Sequence, residues 1–428
     1  MLKQTAGDLR LTADSGRGYA PAMKIWLKYL IATILGIALG LVVPAGGALL
    51  DTIAGLFMNA ARAILIPLLF FSIIIATQEL REDRRLLRVL SRSVVYSLAG
   101  LFLMSLVGIV GAFALSPERI PLNADSAALN AGLPKLSELF KAIFPANALS
   151  VFLNSDYLLP LLIVSIIAGV GLCFDRSITK SLSTLIDAAS RVLWQINSFI
   201  VELLPLPIIV LAAARVVSLR GIPRLQLYGN LILIVVAELA FVTLILLPLI
   251  LFLHERKSNP FKTLYGLIGP AFLALVAGHA LVPAGALLKH LKESLGVRRR
   301  AGALSLTVAL SMGRAGSAMV SATAFIVVLS SYSSLGLGSG TIAWMLAFVP
   351  LSALLLSAVP ASGPLAALLF LSASYGRGFE SGYLLMVPAA LPLMALSSFL
   401  DTLFAGCVTR LAAGQEGYAG EKAARHFI

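Results

Sequence analysis

The chain has 428 residues, of which 59% are hydrophobic and 12% charged, and its mean hydropathy is +0.95. This composition excludes a soluble globular domain, whose surface would be largely apolar, and identifies a polytopic membrane protein. A net charge of +13 would suit nucleic acid in a soluble protein, but here Lys and Arg lie in short segments between apolar runs. The charge therefore reads as topology, and the bilayer, not nucleic acid, is the expected surroundings.

Residues 1–24 are polar and lack a short apolar core ending in a small-residue cleavage site, so they read as a retained tail. Apolar stretches follow at 29–50, 53–76, 94–115, 157–173, 190–213, 227–253, 264–288, 303–330, 341–373 and 383–412. Each is compared with the ~20 residues that a spanning helix needs. Cys173 and Cys407 both fall in apolar runs and suggest neither a disulfide framework nor a metal site. Lys3, Arg10, Arg17, Lys24 and Lys28 precede the first stretch, and Arg81, Arg84, Arg85, Arg88 and Arg92 divide the second from the third. Both segments are expected inside, while the loop 116–156, in which residues 116–150 carry three basic and three acidic side chains, is expected outside. Both termini then face the cytoplasm.

The stretch 264–288 breaks this alternation, with Arg256, Lys257 and Lys262 on one flank and Lys289, Lys292, Arg298, Arg299 and Arg300 on the other. A crossing would leave one basic cluster outside. A segment that enters and returns removes the conflict, and "GHALVPAG" (278–285) supplies the turn. Similarly, 341–373 lies between "SYSSLGLGSG" and "SASYGRGFESG", with "VPASGP" as its turn. Arms of roughly 16 residues reach ~24 Å, short of a ~30 Å hydrocarbon core, so one hairpin dips from each side toward the midplane. Backbone freed by Pro and Gly is tolerated at that depth where it lines a cavity or is buried in protein, which points to a midplane binding site. The alternative is that Pro and Gly merely kink membrane helices. Arg215, Arg220 and Arg224 fall in a loop that this topology places outside, against the charge rule.

Several segments carry a resemblance. "GLFMNAARAILIPLLFFSIII" (55–75), "SVVYSLAG" (93–100), the two hairpins in order, and "FLDTLFAG" (399–406) resemble the dicarboxylate/amino acid:cation symporter family, the glutamate transporter family, from about residue 24 to 413. The resemblance implies an all-α polytopic fold of eight transmembrane helices plus two re-entrant helical hairpins, with inverted repeats and elevator-type movement. It also implies a homotrimer in the bacterial cytoplasmic membrane. The first three helices would occupy 25–115, the fourth and fifth 157–226, and the sixth to eighth with both hairpins 227–413, followed by a tail at 414–428. Helices 1, 2, 4 and 5 would form a scaffold, and helices 3, 6, 7 and 8 with the hairpins a mobile transport domain. The implied activity is secondary transport of a small amino acid or dicarboxylate, without a cofactor beyond a coupling H+ or Na+.

Carried over position by position, the substrate would lie between the tip of hairpin 1, His279 to Gly285 with Val282 and Pro283, and the tip of hairpin 2, with Pro360, Ser362 and Gly363. The family's Asn-Met-Asp-Gly-Thr motif falls on Gly313, Arg314, Ala315, Gly316 and Ser317, of which only the Gly-Ser end is similar. The family's amine-binding Asp matches Asp401, but its carboxylate-binding Arg matches Phe404. Its Asn and final Asp match Val408 and Ala412, and its sodium-site Tyr, Thr and Ser match Ser97, Gly100 and Leu101. Altered or absent sodium coupling is the expectation.

Charges in apolar runs remain as clues, because each costs several kcal/mol at membrane depth. Arg314 and Asp401 lie on the two helices expected to face the cavity and read either as substrate anchors, with Asp401 also a candidate protonatable coupling group, or as a buried ion pair joining those helices. Glu238 reads as a protonatable coupling group or as a neutral helix contact, and His279 as a titrating tip residue or a hydrogen-bonded turn residue. Ser317, Ser321, Ser362, Ser397 and Ser398 offer hydroxyls, although small polar residues also pack helices. A passive anion pathway on the same fold is the alternative function. An enzyme is not expected, since His-Glu-x-x-His and Gly-x-Ser-x-Gly motifs are absent from the sequence.

Overall fold

The computed structural model describes residues 23–42, 48–121, 147, 150–153, 158–255, 259–332, 338–358, 363–376, 378–420, 422–423 and 427–428. Its helices are α1 (Ile25–Val42), α2 (Ala48–Glu82), α3 (Leu86–Leu115), α4 (Leu158–Gly171), α5 (Arg176–Leu203), α6 (Pro205–Arg220), α7 (Gly229–Phe241) and α8 (Leu247–His254). They continue with α9 (Pro260–Ala277), α10 (Ala284–Glu293), α11 (Arg299–Met312), α12 (Ala315–Tyr332), α13 (Ser339–Leu355), α14 (Pro364–Tyr375) and α15 (Ala390–Gln415). A π-helical turn at Val242–Leu246 joins α7 to α8 into one span.

Among the described residues, seven helical spans are long and apolar enough to cross a membrane, or eight when the pair bent by 56° at Leu204 counts as one. That bend corrects the expected span at 190–213. Pro205 has no amide hydrogen to continue α5, so the chain restarts as α6 in a new direction. One of the seven, α9, is a hairpin arm, and the 14-residue α4 is a shorter apolar helix. Large apolar side chains such as Phe102, Leu106, Val110 and Phe113 on α3 stay exposed at helical spacing. They supply the face that an apolar solvent requires.

Both hairpins are present. In hairpin 1 the 18-residue α9 and the 10-residue α10 run antiparallel. Their outer ends meet where His290 Nδ1 lies 3.1 Å from the Gly266 carbonyl. Asn259 caps α9 by accepting from Phe261 N, and Pro260 occupies the first turn, where no amide is needed. In hairpin 2 the outer ends of α13 and α14 meet through the Thr341 hydroxyl and the Tyr375 phenol, 3.3 Å apart, and Trp344 stacks edge-on against Tyr375. The arms are less equal than the expected 16 residues each.

Between the hairpins the α11–α12 span is interrupted at Gly313 and Arg314. Every residue of α12 from Ala315 to Leu329 is buried, as in a helix surrounded on all sides by protein. The segment after α15 is also bound in place. Arg298 N donates to the Tyr418 carbonyl and Gly420 N to that of Gly296. The Tyr418 hydroxyl donates to Asp83 at 2.6 Å, and buried Arg410 donates to the carbonyls of Leu295 and Gly420.

Candidate functional site

The break in the α11–α12 span leaves the first amides of α12 without intrahelical partners. Asp401, at the middle of α15, fills that role. Its Oδ1 accepts from Gly316 N at 2.7 Å and Ser317 N at 3.1 Å, and its Oδ2 accepts from the Ser317 hydroxyl at 2.8 Å. The carboxylate is buried, and it faces the positive end of the α12 dipole. The approach depends on Gly316, since a Cβ there would lie 2.8 Å from Leu400 Cβ and 2.9 Å from Asp401 N. Gly363, at the described edge of hairpin 2's tip, lies over the same spot, with Ser317 Oγ and Ser397 Oγ within 4 Å of its would-be Cβ.

The structure thus brings Gly316, Ser317, Ser397, Asp401 and Gly363 together. Pro360 and Ser362 lie outside the described residues. Arg314 and Asp401 do not form an ion pair. Instead, Arg314 Nε donates to Leu310 O at 3.2 Å, and among the described residues its terminal nitrogens make no hydrogen bond. Phe404 is buried against α3, and a methyl group placed at Gly100 would overlap its ring. Gly100, Leu101, Val408 and Ala412, where oxygen ligands would stand in the family, present no side-chain oxygen. Ser97 has a hydroxyl, which is buried beside Gly313 and has no partner among the described residues.

At hairpin 1 the turn buries Val282 and Pro283. His279 Nδ1 accepts from Leu281 N at 3.1 Å, so Nε2 carries the ring proton, and it is buried with no partner among the described residues. A second ring proton would displace that bond. Glu238 lies apart from this cluster, where α7 meets α3 and α12. The Thr323 hydroxyl lies 3.0 and 2.8 Å from its two oxygens, and Gly111 packs directly on the carboxyl. Thr323 has a single hydrogen, yet the carbonyls of Gly108 and Met319 also lie within 3.3 Å of it. A cavity of about 480 Å³ lies between Asp83, Arg298 and Tyr418 among basic residues, and no hairpin-tip residue lines it.

Residues that sequence reasoning missed are those binding hairpin 1 to α5 and α6. Asn197 donates to the Gly285 carbonyl, Lys289 pairs with Glu202, and Arg215 reaches the end of α9. Lys289 and Arg215 were legible only as loop charges.

The chain is similar over most of its length to serine/threonine transporters. It is 28% identical to that of Lacticaseibacillus casei over 382 residues, covering 87% of this chain and 79% of the relative. It is 27% identical to that of Enterococcus faecalis over 379 residues, covering 87% and 81%. A C4-dicarboxylate transport protein of Deinococcus radiodurans is 27% identical over 192 residues, covering 42% of this chain and 43% of the relative. The profile of the sodium:dicarboxylate symporter family matches residues 25–403. With paired hairpins around a broken central helix and a match over nearly its whole length, this chain belongs to the sodium:dicarboxylate symporter family and is an integral membrane transporter of small substrates.

Proposed function

We propose that the chain is an elevator-type carrier for a small neutral amino acid, with sodium coupling altered or lost. The observation that carries this reading is the convergence of hairpin 2, at Gly363, with Ser317, Ser397 and Asp401 at the α11–α12 break. A carboxylate and two hydroxyls suit an ammonium group and a small polar side chain. Phe404, packed on Gly100, offers no charge to a second substrate carboxylate, which favours neutral over acidic substrates. The serine/threonine transporters among the relatives agree with this choice.

The free terminal nitrogens of Arg314 favour a second reading, in which they hold a carboxylate and the substrate is a dicarboxylate. A hard cation needs several oxygen ligands, and hydrocarbon stands at most of the family's positions, so coupling falls to protons or to no ion. Glu238 is the proposed proton carrier. Thr323 can bond to a backbone carbonyl and still meet the carboxyl if Glu238 donates the proton between them.

Uptake of serine, threonine, aspartate and succinate into proteoliposomes under a sodium gradient, a pH gradient or neither tests this reading. Serine or threonine accumulation that follows pH and ignores sodium is expected. Sodium-driven accumulation overturns the coupling, uptake of succinate but not serine favours the Arg314 reading, and equilibration without accumulation establishes a passive pathway.

A further inference from the structure

Arg215 stands where the sequence predicts an external loop, but it lies inside α6 and serves another helix. Its Nη2 donates to the Ala277 carbonyl at 2.5 Å, and its Nε to the Val276 carbonyl at 3.4 Å. Helix α9 ends at that point because Gly278 turns into the left-handed region at φ +65°, its amide bonding back to Ala274. The last carbonyls of α9 then lack intrahelical partners, at a depth where bulk water supplies none. The guanidinium satisfies two of them and meets the negative end of the helix dipole. Arg220, five residues on, treats α1 in the same way, with Nη1 donating to the carbonyls of Leu41 at 2.9 Å and Gly40 at 3.3 Å.

The two arginines differ in what they hold. Helices α1 and α6 pack lengthwise on one another within the proposed scaffold, whereas α9 is the first arm of hairpin 1, the part proposed to move. Two further polar contacts cross the same seam from α5. Asn197 Nδ2 donates to the Gly285 carbonyl at 3.0 Å. Lys289, almost wholly buried on α10, bonds to Glu202 at 2.8 Å and to the Ser198 carbonyl at 3.2 Å. None of these groups touches the Asp401 cluster.

We propose that Arg215, together with Asn197 and the Lys289–Glu202 pair, forms a latch between α5–α6 and hairpin 1 that holds the carrier in the conformation described here and limits how fast hairpin 1 leaves it. This rests on the elevator reading. Arg215 is a positioning residue that acts through the end of α9. Departure of the hairpin separates a guanidinium from two helix-end carbonyls and an ammonium from its carboxylate. Arginine suits the task because its fork bonds two acceptors, where lysine would offer one compact charge.

The test uses the full chain in membranes, with Cys173→Ser and Cys407→Ala to remove native thiols and Ala286→Cys as reporter. Ala286 lies on α10, 1% exposed in a cluster with residues of α1 and α6, so a maleimide reaches it only when the hairpin leaves. Alkylation is expected to be slow in this parent and about tenfold faster with Arg215→Leu, the scale of one charge-assisted hydrogen bond. Arg215→Lys should be intermediate, Asn197→Ala severalfold faster than the parent, and Arg220→Leu unchanged. Parent-like rates in both Arg215→Lys and Asn197→Ala overturn the latch even if Arg215→Leu does not fold. A rise with Arg220→Leu equal to that with Arg215→Leu also overturns it, since general loosening then explains both. A reporter unreactive in every folded variant but reactive in denatured protein overturns the moving hairpin, and the elevator reading with it.

Discussion

Replacing Asp401 separates its service to α12 from its proposed service to substrate. Asp401→Ala strands the amides of Gly316 and Ser317, which cannot turn away, and the Ser317 hydroxyl, which can rotate toward a nearby carbonyl. At about 1–3 kcal/mol for each buried donor left unpaired, the two amides alone predict a loss of roughly 2–6 kcal/mol. Asp401→Asn keeps one oxygen for both amides and turns its NH2 toward Ser317 Oγ, which can accept. Only the charge assistance is lost, about 1–2 kcal/mol. Thermal unfolding of the purified protein, with and without amino acid, reads both effects. A ligand at a hundredfold excess over its Kd stabilises by about 2.7 kcal/mol. The Asn variant should therefore fold and lose most of that ligand-induced shift. An Asn variant with a full ligand shift refutes amine recognition, and an Ala variant that melts like the parent refutes the capping role.

Gly316→Ala should force α12 and α15 apart, lowering thermal stability by about 1–3 kcal/mol, and a variant with the parent melting temperature would contradict the close approach. Arg410→Met should free the segment after α15 and cost roughly 3 kcal/mol, measured as faster limited proteolysis near residues 416–420 together with a lower melting temperature. Glu238→Gln should flatten the dependence of uptake on external pH, and an unchanged profile would remove Glu238 from coupling. Tyr418 gives a signed prediction at high pH. Burial and the bond to Asp83 push its phenol up to about 12, above its unfolded value of about 10. Its contribution is thus whole below pH 10 and lost as pH rises toward 12, so the fall in melting temperature over that range should be smaller in Tyr418→Phe.

Hydropathy made the spans legible, the two basic flanks of 264–288 made hairpin 1 legible, and the flanks of 341–373 with their Pro and Gly turn did the same for hairpin 2, because membrane insertion reads those same quantities. The position of Asp401 was legible as a charge in an apolar run, but its partners were not. They depend on how α12 and α15 meet at Gly316, which lies 85 residues from Asp401 in the sequence. Arg314 and Asp401 looked like a pair because opposite charges on neighbouring helices usually are. The α12 amides supply donors that no side-chain inventory reveals, and they take the carboxylate instead. Arg215 was misplaced because the bend at Leu204 lies inside one continuous apolar run, where hydropathy averages over the change of direction.

The contact between Phe404 and Gly100 has a consequence for how the specificity of such a carrier can change. An aromatic ring lying on a bare stretch of α3 backbone is a lock and key within the protein itself. A single Phe404→Arg exchange would thrust a guanidinium into a slot shaped for hydrocarbon. An arginine at this position therefore calls for a second change on α3 that opens room for it.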